Sequence, residues 1–262
     1  MHGSKKKILI EGDSWFSIPD VANIPIQLDS ELDLSILCLA NPGDTLEELT
    51  EGSQFIKLAS LIKDNRFGQK WDALILSAGG NDVIGPKMRR LLKKPARPDS
   101  TNPAEYINQK VLDKVFRKMK ERLNTLRKLR DKSKINKNTP ILIHTYCYLT
   151  PRNMAHKIFV WNVAGPWVLP QLESMHIFDC GLQRSIVAAL LDRFFDLLHG
   201  IEVEADSNFH VVDTRTALPP IECSERDTSF YHWGDEIHPS SKGFSQITKR
   251  FFIPRMADLK II

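Results

Sequence analysis

Two short segments far apart in the chain carry the residue types of a nucleophile, a base and an orienting acid. Gly12-Asp13-Ser14 directly follows the apolar run 8–10, and Asp235 precedes His238 by three positions. A serine hydroxyl becomes a strong nucleophile when a neighbouring base takes its proton, and a histidine base needs a carboxylate to fix its tautomer. If the fold brings these three side chains together, the sequence predicts a serine hydrolase.

Two further loops hold groups that could stabilise negative charge on a reacting oxygen. Gly43, in the loop 41–45, can present its backbone N–H to an oxyanion without a side chain in the way. Asn81, in the segment 79–82, offers a neutral amide donor. Each motif taken alone is an ordinary loop, and an isolated Ser14 would most simply be a turn or helix-cap residue.

Short apolar runs alternate with helical patterns along the chain, which favours a doubly wound α/β domain with a parallel sheet. We predict strands at 7–10, 34–39, 73–77, 141–145 and 209–212, and helices at 46–64, 109–130, 183–199 and 240–252. Ligands of such sheets bind beyond the carboxyl ends of the strands. The motifs around Ser14, Gly43 and Asn81 follow the first three strands directly, so we expect them at one edge of the sheet.

Two stretches are longer than a minimal fold of this kind needs. The segment 86–108 is rich in proline and basic residues, and the segment 151–181 contains Phe159, Trp161 and Trp167. Both follow strand ends at the predicted functional edge, so each is expected either to form the rim of a pocket or to be a surface excursion. Residues 1–262 are predicted to form a single domain with these two insertions.

The composition is typical of a folded soluble protein. The 262 residues are 42% hydrophobic and 26% charged, and the net charge of +4 does not by itself indicate a nucleic-acid partner. Three lysines, at positions 5–7, precede the apolar run 8–10, but this run is too short for a signal peptide. No apolar stretch approaches the roughly 20 residues of a membrane helix. We therefore expect no membrane span and a cytoplasmic location.

The cysteines at positions 38, 147, 180 and 223 are widely spaced and form no Cys-x-x-Cys unit. This spacing indicates neither a zinc site nor a redox pair. Free cysteines are commonly buried, so we expect these four to be reduced and mostly buried.

Taken together, the four motifs resemble the SGNH hydrolases, also called the GDSL esterase/lipase family. The resemblance rests on Gly12-Asp13-Ser14, Gly43, Asn81 with Asp82, and Asp235-x-x-His238 followed by proline, and it spans most of the chain. It implies a flavodoxin-like, three-layer α/β/α sandwich with a five-stranded parallel sheet in the order 2-1-3-4-5. Trp15 replaces the aliphatic residue that is usual in the family, which is expected to alter the floor of the pocket.

The resemblance also implies roles for individual residues. Ser14 would be the nucleophile, His238 the base and Asp235 the orienting acid, while the N–H groups of Ser14 and Gly43 and the amide of Asn81 would form an oxyanion hole. The implied reaction is cleavage of a carboxylic ester or thioester through an acyl-serine, without a cofactor or metal. The Gly-x-Ser-x-Gly elbow of the α/β-hydrolases does not occur around Ser14.

The substrate implied is a small-molecule, lipid or sugar ester, with no nucleic-acid partner, and the oligomeric state is left open. Two other functions remain possible on the same fold. One is an acyltransferase that uses the same triad with an alcohol acceptor, and the other is a binding protein that has lost turnover.

Three other features have both a functional and a structural interpretation. His232 could join Asp235 in a zinc site, although a loop position near the pocket is the simpler expectation. His144, at the end of the fourth strand, could touch substrate or be a buried structural residue. The basic residues of 86–108 and 110–137 would suit an anionic substrate such as a phospholipid or a coenzyme A thioester, or they form a solvated helix face.

Overall fold

A parallel β-sheet forms the centre of the protein. The computed structural model describes residues 5–64, 66–97, 99–158, 161–226, 228 and 231–262. The strands are β1 (Lys6–Gly12), β2 (Leu34–Cys38), β3 (Ala73–Ser77), β4 (Ile141–His144), β5 (His156–Ile158), β6 (Trp161–Ala164) and β7 (Phe209–Val212). Five of them form the main sheet in the order β2-β1-β3-β4-β7, with every neighbouring pair parallel. Counted within this sheet, the order is the predicted 2-1-3-4-5, and the predicted fold class is confirmed.

The two central strands explain why the sheet needs helices on both faces. Every residue of β3 and β4 is buried, whereas the edge strand β2 is largely exposed. Strands buried on both faces are typical of parallel sheets, in which the crossover helices cover each side. The five predicted strands differ from the observed ones by at most two residues at either end.

Helices surround this sheet, and the three longest were predicted. They are α1 (Ser14–Ser17), α2 (Ile24–Glu31), α3 (Gly52–Ile62), α4 (Gly80–Val83), α5 (Gln109–Asp131), α6 (Leu169–Glu173), α7 (Cys180–Glu202), α8 (Ser241–Ile247) and α9 (Ile253–Asp258). The side chain of Asn108 caps α5 through the N–H of Val111, and Asp179 caps α7 through the N–H of Leu182. Both long helices agree closely with the prediction.

Two helix boundaries differ from the prediction for local reasons. The helix predicted at 46–64 begins only at Gly52, whose φ of +71° cannot lie within a helix interior. The terminal helix has the predicted Ser240 cap. After α8 a π-helical turn, Thr248–Phe252, leads directly into α9, so the helical segment extends beyond the predicted end at Phe252. The short α2, capped by Asn23, was not predicted.

The two insertions fold differently from each other. The segment 86–108 contains two short 3₁₀ helices, Pro86–Leu91 and Pro103–Tyr106. The segment 151–181 contains α6 and an antiparallel hairpin of β5 and β6, which was not predicted. Phe159 lies outside the described residues. Leu91 from the first insertion and Val168 from the second both belong to the main hydrophobic core.

One expectation about the cysteines is wrong. Cys180, at the start of α7, and Cys223, in the segment after β7, form a disulfide with their Cα atoms 5.9 Å apart. The two are 43 residues apart in sequence, and only the packing of the tertiary fold brings them together, so their spacing carried no signal. Cys147 is free and buried, as expected, while Cys38 is free and exposed.

Within the part of the chain that the structure describes, none of the helices combines the length and the apolar character needed to cross a bilayer.

Candidate active site

Ser14 lies at the carboxyl end of β1, in the first position of the short helix α1. The turn depends on Gly12, whose φ is +154° and where a side chain would overlap the carbonyl of Ser77 on β3. The N–H of Asp13 donates to that carbonyl at 2.9 Å, and the carboxylate of Asp13 caps α1 by accepting from the N–H of Trp15 at 3.0 Å. These contacts fix Ser14 above the edge of the sheet.

The three side chains predicted to act together are in contact. Oγ of Ser14 lies 2.7 Å from Nε2 of His238, although the two residues are 224 positions apart. Nδ1 of the same imidazole lies 2.8 Å from Oδ2 of Asp235. This is the geometry in which a histidine can accept a serine proton while a carboxylate holds its second nitrogen.

Asp235 is buried and surrounded by donors. Its Oδ1 accepts from the N–H groups of Ile237 at 2.9 Å and His238 at 2.8 Å, while Oδ2 also lies 3.1 Å from Nδ1 of His156. Burial alone would raise the pKa of Asp235, but the hydrogen bonds from His156 and His238 outweigh it and hold the pKa below its ordinary range. The carboxylate is therefore ionised and can stabilise positive charge on His238.

Gly43 and Asn81 border the same cleft as Ser14 and His238. Gly43 has a φ of +88°, which favours glycine, and it lies in an exposed loop with its surroundings open. Nδ2 of Asn81 donates one hydrogen to the carbonyl of Asp44 at 2.9 Å. Because an amide carries two such hydrogens, the second can serve a ligand. The fold thus brings all five predicted site residues to one edge of the sheet.

A buried polar network supports the turn beneath Ser14. Asp13 accepts from Tyr146 Oη at 2.5 Å and from Ser77 Oγ at 2.6 Å, and Ser77 Oγ also lies 2.8 Å from Nε2 of His144. Burial raises the pKa of Asp13 to about 6, against the opposing effect of these hydrogen bonds. Burial lowers the pKa of His144 to about 4, so its ring is neutral and has a structural role here.

Two cavities meet at Ser14 and Asn81. The larger, of about 300 Å³, is bordered by His238 and has mostly apolar walls that include Ile18, Pro42 and Trp167. The smaller, of about 30 Å³, lies on the side of Gly80 and Tyr146 and is closed by Trp15, Ile84, Leu149 and Leu191. Trp15 therefore forms part of the pocket wall, as its departure from the family pattern suggested.

Comparison with known proteins decides the family. A sequence model of the GDSL-like lipase/acylhydrolase family matches residues 16–251. The chain belongs to this family. No curated protein sequence matches the chain.

A solved structure agrees with this family at the level of the fold. A phospholipase A1 from Streptomyces albidoflavus is 14% identical, with 97% of this chain and 99% of that chain covered and a TM-score of 0.55. An acetyl xylan esterase from Butyrivibrio proteoclasticus is also 14% identical, with 98% of this chain and 64% of that chain covered and a TM-score of 0.48. The family assignment confirms the expectation of a hydrolase that acts on esters.

Glu236 also supports the candidate site, although the sequence pattern did not indicate a role for it. Its buried carboxylate accepts from the N–H groups of Trp167, Val168 at 2.8 Å and Leu169 at 2.7 Å. Glu236 lies next to Asp235, so it ties the 235–238 turn to the insertion 151–181. This tie holds the Trp167 ring at right angles to the His238 imidazole, with 5.1 Å between ring centroids.

His156 was likewise missed, and it comes from the hairpin of the same insertion. It borders the larger cavity through a ring that is 12% exposed, and its Nε2 is buried without a hydrogen-bond partner among the described residues. The insertion 151–181 therefore does contribute to the rim, as one interpretation predicted. The described lining of the two cavities contains no residue from 86–108, so this insertion does not border the cleft around Ser14.

One cluster in the described chain could in principle hold a metal ion. His156, Asp235 and His238 each place a ligand atom within 4.8 Å of the others. Their nitrogen–oxygen distances of 2.8 and 3.1 Å are those of hydrogen bonds, which already account for the arrangement. His232, considered for zinc on sequence grounds, is not a member of this cluster. Its backbone carbonyl instead accepts from the N–H of Ser240 at 2.9 Å.

Proposed function

We propose that the protein is a serine esterase that works through an acyl-serine intermediate. The observation that carries this proposal is the 2.7 Å contact between Oγ of Ser14 and Nε2 of His238, with Asp235 on the other side of the ring. Ser14 is the nucleophile, His238 the general base and Asp235 the acid that orients the ring and stabilises the imidazolium.

In the first half-reaction, His238 removes the hydroxyl proton as Oγ attacks the ester carbonyl. The carbonyl oxygen becomes an oxyanion that accepts from the N–H groups of Ser14 and Gly43 and from the free amide hydrogen of Asn81. The imidazolium of His238 then gives its proton to the leaving alcohol as the C–O bond breaks. Water, activated by the same imidazole, attacks the acyl-serine and releases the carboxylic acid.

The position of His238 distinguishes the two cavities. Because its imidazolium must protonate the leaving oxygen, the leaving group belongs on the side of the larger cavity, which His238 borders. The acyl chain then occupies the smaller cavity, whose 30 Å³ has room for about two heavy atoms beyond the carbonyl. The geometry favours a short acyl group, such as acetyl or propionyl, on an alcohol with apolar surface.

The experiment that tests this proposal compares two hydroxyls of the same short helix. A fluorophosphonate probe should label the wild-type protein and Ser17→Ala, but not Ser14→Ala. Ser17 is a matched control, since its Oγ donates to the carbonyl of Asp13 at 2.9 Å and is not in contact with His238. Hydrolysis of p-nitrophenyl acetate should follow the same pattern, and full turnover by Ser14→Ala would refute the assignment of the nucleophile.

Product analysis in the presence of a competing alcohol separates hydrolysis from acyl transfer. We expect free carboxylic acid as the main product. Dominant formation of a new ester would instead assign the protein as an acyltransferase with the same triad.

A further inference from the structure

A third cavity, away from Ser14, is surrounded by cationic side chains. It has a volume of about 300 Å³ and is bordered by five cations, namely Lys87, Arg90, Lys114, Lys118 and Arg122. We call it the basic cavity. We propose that the basic cavity binds a compact phosphate-bearing anion. This inference does not depend on the proposed function of Ser14.

The cations approach the basic cavity from two sides. Lys114, Lys118 and Arg122 follow one another at intervals of four residues, which places them in one row on α5. Lys87 and Arg90 come from the 3₁₀ helix Pro86–Leu91. Two separate elements thus converge on one space, as the walls of a binding site do.

The row on α5 has an energetic cost in the absence of an anion. Like charges four residues apart on a helix repel one another and destabilise the helix. Arg122 is compensated by Glu47 at 2.9 Å and Glu51 at 3.4 Å. Lys114 and Lys118 form no ion pair with any other described residue, so their charges remain available to a ligand.

Lys87 and Arg90 are also without an ion pair among the described residues. The carboxylates on the cavity wall are Glu47, which Arg122 engages, and Asp82, which accepts from the N–H of Leu46 at 3.0 Å. Burial raises the pKa of Asp82, while the Leu46 N–H and the nearby cations oppose that shift. The positive charge of the basic cavity therefore exceeds the negative charge that its own residues supply.

The shape and chemistry favour a phosphate-bearing small molecule over other anions. A single carboxylate would engage only one or two of these cations, whereas a phosphate group has charge and oxygens enough for several. The floor is formed by the apolar residues Val111, Val115 and Met119. Among the described residues, the lining contains no aromatic side chain on which a nucleic-acid base could stack.

The basic cavity adjoins the candidate active site along the chain. Asp82 borders the basic cavity, and its neighbour Asn81 borders the cleft of Ser14. The insertion 86–108, which forms no part of the rim around Ser14, supplies two of the five cations. Binding of an anion in the basic cavity would therefore give the insertion 86–108 a role, although it takes no part in the cleft around Ser14.

Titration calorimetry with inorganic phosphate and pyrophosphate, at an ionic strength of about 0.1 M where the Debye length is about 10 Å, tests the inference. We expect saturable binding to the wild type and at least about tenfold weaker binding to the double variant Lys114→Gln and Lys118→Gln, since each lysine would supply a charge-assisted hydrogen bond to the phosphate. The matched control is Lys128→Gln with Lys132→Gln, which removes two exposed lysines from the far end of α5. Its affinity should stay within about twofold of wild type, because distant surface charges are screened.

Loss of the fold can be separated from loss of the site. The variant Lys114→Gln and Lys118→Gln removes like-charge repulsion, so its thermal midpoint should be no lower than that of the wild type. An absence of saturable binding, or equal loss of affinity in both double variants, would overturn the proposal.

Two further ligands distinguish the source of the phosphate. Binding of sn-glycerol 3-phosphate more tightly than inorganic phosphate would assign a phosphorylated alcohol or headgroup as the ligand. Binding of inorganic phosphate or pyrophosphate alone would assign a free phosphate. Binding only to phosphatidylglycerol vesicles, and to none of the soluble phosphates, would replace the small-molecule site with a membrane-facing patch.

Discussion

Nδ1 of His156 lies 3.1 Å from Oδ2 of Asp235, the same oxygen that Nδ1 of His238 approaches to 2.8 Å. One carboxylate thus has two histidine partners, one from the hairpin of β5 and β6 and one from the 235–238 turn. Because Asp235 is fully buried, each donor reduces the cost of keeping it ionised. His156 is therefore expected to act as a positioning residue for the proposed triad.

Replacing His156 should weaken catalysis through Asp235. We expect His156→Ala to lower kcat by about ten- to a hundredfold, since a hydrogen bond to a charged group contributes about 1.5–3 kcal/mol. His156→Asn, whose amide can donate from a similar position, should restore most of the activity. The pKa of Asp235 should also rise in His156→Ala, because one of the hydrogen bonds that lower it is removed.

A rise in KM with unchanged kcat, and no rescue by His156→Asn, would contradict this role. It would show that His156 serves only as part of the cleft wall, which it also borders.

Asn81 is expected to act on the transition state more than on binding. Losing one oxyanion donor typically lowers kcat by about 10²–10³-fold. We therefore expect Asn81→Ala to lose activity on that scale with little change in KM for p-nitrophenyl acetate. Asn81→Asp, which keeps the shape but replaces the donor with an acceptor and a negative charge, should lose still more. Equal activities of Asn81→Asp and the wild type would remove Asn81 from the oxyanion hole.

The sequence predicted the strands and the proposed triad well because both follow from short-range rules. The apolar runs of the sheet are bounded by turn residues, and the motifs at their carboxyl ends must meet in a parallel arrangement. The contact between Ser14 and His238, across 224 residues, was predicted from the residue types and the family resemblance, since the 235–238 turn does not directly follow a strand.

The positions of His156 and Trp167, both from the insertion 151–181, next to His238 could not be predicted in the same way. Nothing in the local pattern around His156 or Trp167 indicates that a short hairpin folds back over His238. Their placement depends on Glu236, which binds three successive N–H groups of the segment 167–169. The disulfide between Cys180 and Cys223 was missed for a related reason, since only tertiary packing brings the two together.

The smaller cavity should set the acyl preference of the enzyme. Leu191 borders this cavity, whereas its neighbour Leu190 on α7 is equally buried but does not. We expect Leu191→Ala to shift the preference among p-nitrophenyl esters from acetate toward butyrate and hexanoate. Leu190→Ala should destabilise the protein by a similar amount, about 2–5 kcal/mol, without changing the preference. The same preference in both variants would place the acyl chain elsewhere.

The disulfide should contribute substantially to stability. Closing a loop with a sequence separation of 43 restricts the unfolded chain, which corresponds to about 4 kcal/mol in the loop-entropy treatment. Urea unfolding should show a loss of that order in Cys180→Ser with Cys223→Ser, whereas Cys38→Ser should unfold like the wild type. A reducing agent should lower the stability of the wild type and leave that of the double variant unchanged.

The same disulfide bears on the cellular location. Disulfides are rare in the cytosol and persist in oxidising compartments. The pair Cys180 and Cys223 therefore disagrees with the expectation of a cytoplasmic location. Trapping free thiols with an alkylating agent at the moment of lysis would show whether the two are oxidised in cells.

Glu11 should make the stability of the protein depend on pH. It lies in β1 and is 1% exposed. One carboxyl oxygen accepts from the N–H of Gly12 at 2.9 Å and from Nε2 of Gln54 at 2.8 Å, while the other is buried without a partner among the described residues. Burial raises the pKa of Glu11 to about 7, against the smaller opposing effect of these hydrogen bonds.

The sign of the effect follows from this raised pKa. Between about pH 4.5 and 7 the folded protein retains a proton that the unfolded chain has lost, so the free energy of unfolding falls as pH rises through that window. Glu11→Gln cannot titrate. Its stability relative to the wild type should therefore increase between pH 5 and pH 8, by up to about 3 kcal/mol.

Urea unfolding at unit steps of pH measures this difference. The exposed Glu121 on α5 supplies the control, because Glu121→Gln should run parallel to the wild type across the window. If Glu11→Gln also ran parallel to the wild type, the carboxyl of Glu11 would be ionised in the folded protein throughout. The buried oxygen without a partner would then need a donor that the described residues do not supply.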